Sequence, residues 1–101
     1  MKYFLVELTY TVPLPQIEAA TPAHREFLQS GYDRGVLLCS GPKVPRTGGV
    51  VLARAESLEA AQEFFTSDPF QKGRLADDRY IEFNPVKRAS CTEEWFAATS
   101  V

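Results

Sequence analysis

The sequence is poor in the residues from which metal centres and disulfide frameworks are made: among 101 residues there is one histidine, His24, and two cysteines, Cys39 and Cys91. Neither cysteine sits in a CxxC pair or beside a second histidine, so the spacing supports neither a zinc site nor a disulfide scaffold. No apolar run reaches the roughly 18 residues that a membrane-spanning helix needs. The opening MKYFLVELTYTV has charges inside an alternating pattern and no small-residue cleavage site, so it reads neither as a span nor as a leader peptide. Charge of one sign is not in excess either. A formal net charge of -2, with no basic patch interleaved with aromatics, offers nothing to nucleic acid or an acidic membrane. Prolines and glycines are dispersed, which leaves no linker or disordered tract. The expectation is one cytoplasmic domain over residues 1–101, with a core over about 1–86 and a tail, 87–101, that docks through Trp95 and Phe96. A domain this small gains from pairing with a copy of itself.

What is present is a strong helical pattern in Glu56–Phe70, ESLEAAQEFFTSDPF. Leu58, Ala61 and Phe65, flanked by Ala60 and Phe64, recur at the three- and four-residue spacing of one buried face, and Glu59, Gln62 and Glu63 fall on the other. Ser57 caps this helix through its side chain. Asp68-Pro69 ends it, because a residue before proline is pushed out of the helical region, and the Asp68 carboxylate is left free to reach a partner. Upstream, Lys2–Tyr10 alternates as a strand, with Phe4, Val6, Leu8 and Tyr10 on one face and Tyr3, Leu5, Glu7 and Thr9 on the other. Apolar groups on both faces imply two covers, helices on one and a partner subunit on the other.

Pro13 and Pro15 make Val12–Ala20 an irregular or briefly helical connection, and Thr21-Pro22 opens the first helix, with Thr21 as its cap. His24 then falls in the first turn, on a sheet-facing stripe with Phe27, Leu28 and Gly31. Gly31 or Gly35 stops the helix. Val36–Ser40 reads as a well-covered strand that holds Cys39 as a small core hydrophobe. Lys43–Gly49 reads as a hairpin loop rather than an anion cradle, Val50–Ala55 as the next strand and Asp77–Pro85 as the last. The order β-α-β-β-α-β predicts an α+β, ferredoxin-like split βαβ fold, a four-stranded antiparallel sheet with both helices on one face. The two helices are expected to run parallel to each other.

Chemistry built on a single imidazole is general base catalysis. Asp68 could partner it by bonding one ring nitrogen, fixing the tautomer and turning the other nitrogen toward a cleft. Spacing alone does not bring the two residues together. A histidine near a helix end and a solvated aspartate at an Asp-Pro turn fit the same pattern. Glu7 reads either as a rim charge or as a carboxylate in a cavity between sheets.

The run SLEAAQEFFTSDPF, the T-P-A-H opening of the first expected helix, the L-L-C-S-G-P strand end and the closing I-E-F-N-P-V-K resemble the YciI-like family, within the dimeric α/β-barrel superfamily. The resemblance spans nearly the whole chain, and its most specific element is the single histidine followed by the D-P-F turn. It implies a homodimer in which two ferredoxin-like sheets pack into a barrel, and a His–Asp pair in a cleft, here His24 and Asp68. A branch of the family is associated with removal of halide from hydroxylated chloro-aromatics, and the superfamily includes cofactor-free, muconolactone isomerase-like proteins. The expected function is therefore a cofactor-independent lyase (dehydrochlorinase-like) or isomerase of aromatic catabolism. His24 would be its base and Asp68 would orient it, with Glu7, Ser40, Gly41, Pro42 and Phe70 as candidate substrate contacts and no metal. The alternative is a non-catalytic dimer that binds a small ligand or supports another protein. A metal-dependent enzyme would need more ligands than His24, Asp68 and Glu7 offer.

Overall fold

The computed structural model describes residues 1–98. The chain forms β1 (Lys2–Tyr10), α1 (Leu14–Asp33), β2 (Leu37–Pro42), β3 (Gly48–Ala55), α2 (Leu58–Phe65), the short α3 (Pro69–Lys72) and β4 (Ala76–Phe83), and ends in α4 (Glu93–Ala97). The strands make one antiparallel sheet in the order β2-β3-β1-β4, the ferredoxin-like arrangement. Phe4, Val6 and Leu8 of β1, at most 2% exposed, pack with Val51 and Ala53 of β3, Ile17 of α1, and Ala61 and Phe65 of α2. Burying each large apolar side chain contributes about 1.5–3 kcal/mol, so this layer is what fastens the helices to the sheet. No helix among the described residues is long and apolar enough to cross a membrane.

The first helix starts earlier than its prolines suggest. It runs from Leu14, with Pro13 as its cap residue, Pro15 in the first turn and Pro22 inside it. First-turn N–H groups have no partner within a helix, so Pro15 costs little there. Thr21 does not cap; its hydroxyl donates back to the Ile17 carbonyl at 2.7 Å. Ile17, fully buried, anchors the early turns that the prolines alone would have left irregular. His24 consequently stands near the middle of α1 rather than in its first turn.

The helices also run in opposite directions, not parallel. β1 and β2 are both antiparallel to β3, and β4 is antiparallel to β1. α1 therefore crosses the sheet one way between β1 and β2, while α2 crosses it the other way between β3 and β4. The first half of α1 is thereby brought beside the end of α2, where α3 begins.

β2 is an edge strand and is buried only at its start. Its pairing shifts register between Leu37 and Cys39, and this leaves Cys39 exposed rather than in the core. Leu58, expected on the buried face of α2, is 37% exposed at the helix start. The two glycines after Phe27 have separate duties. Gly35 takes φ +76° and turns the chain out of α1, a conformation that costs glycine nothing. A Cβ on Gly31 would lie 2.7 Å from the tip of the Phe64 ring, so Gly31 is a packing position instead.

The sheet face opposite the helices is partly covered by the chain's own C-terminal segment. Tyr3, paired across the sheet with Arg54 and Phe83, donates its phenolic hydrogen to the Phe96 carbonyl at 2.7 Å. Arg54, 5% exposed, donates through Nε to the Gly35 carbonyl at 2.7 Å and through Nη1 to the Trp95 carbonyl, and lies against the Trp95 ring. Trp95 Nε1–H donates to the same Gly35 carbonyl at 3.0 Å. The last part of the tail expected to dock, residues 99–101, lies outside the described residues. Elsewhere on this face Val50, Ile81 and Phe83 stay exposed.

The Arg54 guanidinium satisfies two carbonyls out of water, so Arg54→Ala is expected to cost about 1.5–3 kcal/mol. Trp95 is the only tryptophan, and its emission should shift to the red in the folded variant. Thermal melts read together with emission spectra check both effects, and an unshifted spectrum would show that the tail docks without Arg54.

Candidate functional site

Thr21, His24, Arg25 and Leu28 form one stripe of α1 at helical spacing, and this stripe faces a cavity of about 310 Å³. Across from it stand Ser40, Gly41 and Pro42 at the end of β2, Arg46 of the β2–β3 loop, and Phe70 of α3. Leu8, Val50 and Val51 close the cavity from the sheet. The walls are largely apolar, as small-molecule sites usually are.

Local sequence fixes the carboxylate. Asp68 has extended backbone and is the cap of α3, with Pro69 following it, and its Oδ1 accepts the Phe70 N–H at 3.0 Å. The same oxygen accepts His24 Nδ1–H at 2.7 Å, across 44 positions of chain. Phe70 then stacks on the imidazole, ring centroids 3.8 Å apart and planes within 5°. The His24 side chain is 12% exposed and that of Asp68 0%. The carboxylate is sealed while the ring reaches the cavity. With Nδ1 committed to Asp68, Nε2 is the nitrogen left to accept a proton.

His24, Asp68, Ser40, Gly41, Pro42 and Phe70 are thus gathered at one place. Glu7 is not among them. It projects from the opposite face of the sheet, where its carboxylate pairs with Lys43 Nζ at 3.2 Å and approaches Arg79 at 4.0 Å. The Lys43–Gly49 loop reads as a plain turn rather than an anion cradle and Arg25 as an outward helix position, yet Arg46 and Arg25 both line the cavity. Among the described residues no three His, Cys, Asp or Glu side chains are gathered as metal ligands would be.

A second carboxylate, not anticipated, lies near Asp68. Asp78 pairs with Leu8 across β1 and β4, so it shares the inward face with Ala76 and Tyr80. Its two oxygens and Asp68 Oδ2 are buried without a hydrogen-bond partner among the described residues. Burial pushes the Asp78 carboxyl up from 3.8 to about 6, helped by the negative charges of Asp68 and Asp77 and opposed by Gln71 and His24. The Gln71 amide is close, but its N–H points to the Ala76 carbonyl at 3.2 Å. Burial, with the charges of Asp78 and Asp68, likewise pushes the Tyr80 phenol upward and keeps it protonated.

A ferredoxin-like sheet whose helices hold a histidine aligned by a buried carboxylate at an apolar cavity defines a class of small α+β proteins with a His–Asp pair. Within that class, the chain belongs to the family of the YCII-related domain, whose model matches residues 1–84. It is 35% identical over 78 residues to Protein YciI of Escherichia coli, an alignment that covers 66% of this chain and 76% of that protein, and equally so to Protein YciI of Shigella flexneri. Among solved structures it is similar to the 5-chloro-2-hydroxyhydroquinone dehydrochlorinase of Burkholderia phenoliruptrix, in complex with 2,5-dihydroxybenzoquinone. That likeness has a TM-score of 0.66 at 21% identity and covers 88% of this chain and 97% of that one. At that identity the shared property is the fold.

The Asp78 carboxyl gives the site a dependence on pH. Between 3.8 and about 6 the folded chain holds more protons than the unfolded one, so the Asp78 contribution is fully present below 3.8 and is lost as pH rises through about 6. Asp78→Asn, which removes the charge, is expected to stabilise the protein by about 1 kcal/mol near pH 7, once partial exposure is allowed for. The gain should vanish below the unfolded-state value of 3.8. Denaturant titrations of both proteins across that range measure it.

Proposed function

We propose that the protein is a cofactor-independent enzyme in which His24 is the general base and Asp68 orients and charge-balances it, acting on a hydroxylated chloro-aromatic or a related ring-cleavage product. The observation that carries this reading is the 2.7 Å bond from Nδ1 to Asp68 Oδ1, which leaves Nε2 for the cavity. The similar solved protein is named a dehydrochlorinase and holds a hydroxylated quinone, which supports a ring-shaped substrate. In the elimination, Nε2 takes the proton of a ring hydroxyl, and the imidazolium, steadied by Asp68, returns it to the chlorine-bearing carbon. Loss of a proton from a second hydroxyl then makes a second C=O while chloride leaves with its bonding pair. The sum is loss of HCl, with no oxidant required. An isomerisation would end after the first transfer, with a double bond moved.

Two copies are proposed to meet through the open sheet face, where Val50, Ile81 and Phe83 are 36%, 37% and 39% exposed. The proposed setting is the cytoplasm, where the exposed thiols of Cys39 and Cys91 would stay reduced. A second reading, a non-catalytic ligand-binding dimer, draws on the fact that Asp68 already has a structural duty as the cap of α3.

The two readings part on His24→Ala. If the protein is an enzyme, chloride release from a panel of hydroxylated chloro-aromatics should fall by about 10²–10⁴-fold, the usual contribution of a general base, with the oligomeric state unchanged by light scattering. Asp68→Asn keeps a capping oxygen and should lose turnover while retaining the fold. Full activity in His24→Ala would eliminate the mechanism. A parent protein that binds these rings without turning any over would favour the second reading. On the dimer proposal, Ile81→Glu is expected to shift the protein toward monomer in the same light-scattering measurement.

A further inference from the structure

We infer that the molecule this cavity takes is an acid, a hydroxylated aromatic carboxylate, and that Arg46 is the residue that recognises its carboxylate. The inference rests on reading the His24 cavity as the substrate site, and adds to that reading the charge of the substrate. In a chain of net charge -2, the cavity wall carries Arg25 and Arg46 beside His24 and, among the described residues, no aspartate or glutamate. The Asp68 carboxylate stands behind the imidazole, wholly buried, with Oδ1 engaged by His24 and by the Phe70 N–H. Apart from Tyr10, Thr21 and Ser40, the remaining wall, including Leu28, Pro42 and Val51, is apolar, and low-dielectric walls strengthen the field of the cations they surround. An anion is therefore the favoured guest.

Of these two arginines, Arg46 is the one that partners hold in place among the described residues, and it keeps donors to spare. It reaches from the β2–β3 loop to α1, where Nη2 donates to Thr21 Oγ1 at 3.4 Å, a hydroxyl whose own hydrogen is spent on the Ile17 carbonyl. Its charged neighbour, Glu18 Oε1, is 3.9 Å from Nη1, beyond hydrogen-bond reach, and that glutamate side chain is 59% exposed. Among the described residues, five N–H donors are therefore served by one long bond. A planar fork of this kind matches a carboxylate with two parallel hydrogen bonds. Displacing the Glu18 contact would cost little, because exposed pairs of that length contribute almost nothing.

Depth sets the orientation. The Arg46 side chain is 36% exposed and that of His24 12%, so the cation marks the rim and the base the interior. A ring would enter with its hydroxyl toward Nε2 and its carboxylate toward Arg46. A cavity of about 310 Å³ has room for one substituted ring and little more.

The test is calorimetric titration with 2,5-dihydroxybenzoate and with hydroquinone, the same dihydroxylated ring with and without the carboxylate. The parent protein is expected to bind the acid about tenfold more tightly, the scale of one charge-assisted pair. Arg46→Gln should bring the two affinities together, and Arg46→Lys, which keeps the charge but not the fork, should restore part of the difference. His24→Ala is titrated beside them. It removes the base but not Arg46, so the preference for the acid should persist there even if no turnover is ever found, which separates this inference from the proposed reaction. Equal affinities in the parent, a preference that survives Arg46→Gln, or no binding of either ring would overturn it.

Discussion

A single carboxylate oxygen, Asp68 Oδ1, receives both the Phe70 N–H that starts α3 and the imidazole of His24 in α1. The first bond is local and would form in any chain with Asp-Pro-Phe at a helix start. The second joins the two halves of the fold. A buried carboxylate is expensive unless paired, and an imidazole that can share or hold the proton is the partner that offsets that cost. Stacking of Phe70 on the ring then fixes the imidazole plane, so the residue whose backbone caps onto Asp68 also positions the base. Capping, pairing and stacking are three uses of one four-residue turn, and the cavity wall is built outward from it.

Much of this was legible in the chain. Alternation in Lys2–Tyr10 located the buried face of β1, Ser57 does accept the Ala60 N–H at 3.1 Å, and the proline after Asp68 does hold that residue outside the helix. The order of elements was enough for a ferredoxin-like protomer. What failed was the reading of directions and starts. Prolines at 13, 15 and 22 outweighed Ile17 on the page, whereas in the fold the burial of Ile17 outweighs the prolines. With α1 begun eight residues too late and the helices taken as parallel, His24 and Asp68 had no reason to meet, and only family resemblance brought them together. In the structure the antiparallel helices make their meeting ordinary.

Residues whose role depends on where a loop folds were not legible. Arg46 belongs to a stretch that reads as a hairpin loop, and its approach to Thr21 follows from the path of β2–β3 over α1. Cys39 looked like core because its neighbours are apolar. A register shift on an edge strand, which has no sequence signature, turned it out. Asp78 had a signal, its alternation with Ala76 and Tyr80, but a charge flanked by Asp77 and Arg79 resembles a solvated strand end.

The site and the open sheet face are not independent. Val50 pairs with Glu7 on the face away from the helices, yet it also lines the cavity, because β3 ends its buried run where Gly48 and Gly49 bring β1 and β2 close. At the other end of that face Arg54, Trp95 and Phe96 have already closed the surface with the chain's own tail. The apolar area left for a partner therefore runs from Val50, nearer the cavity, across Ile81 to Phe83. A second copy seated there, as proposed, would border the rim on which Arg46 stands. It would shield that guanidinium from water and strengthen its hold on an anion, so that assembly and substrate recognition would draw on the same edge of the sheet.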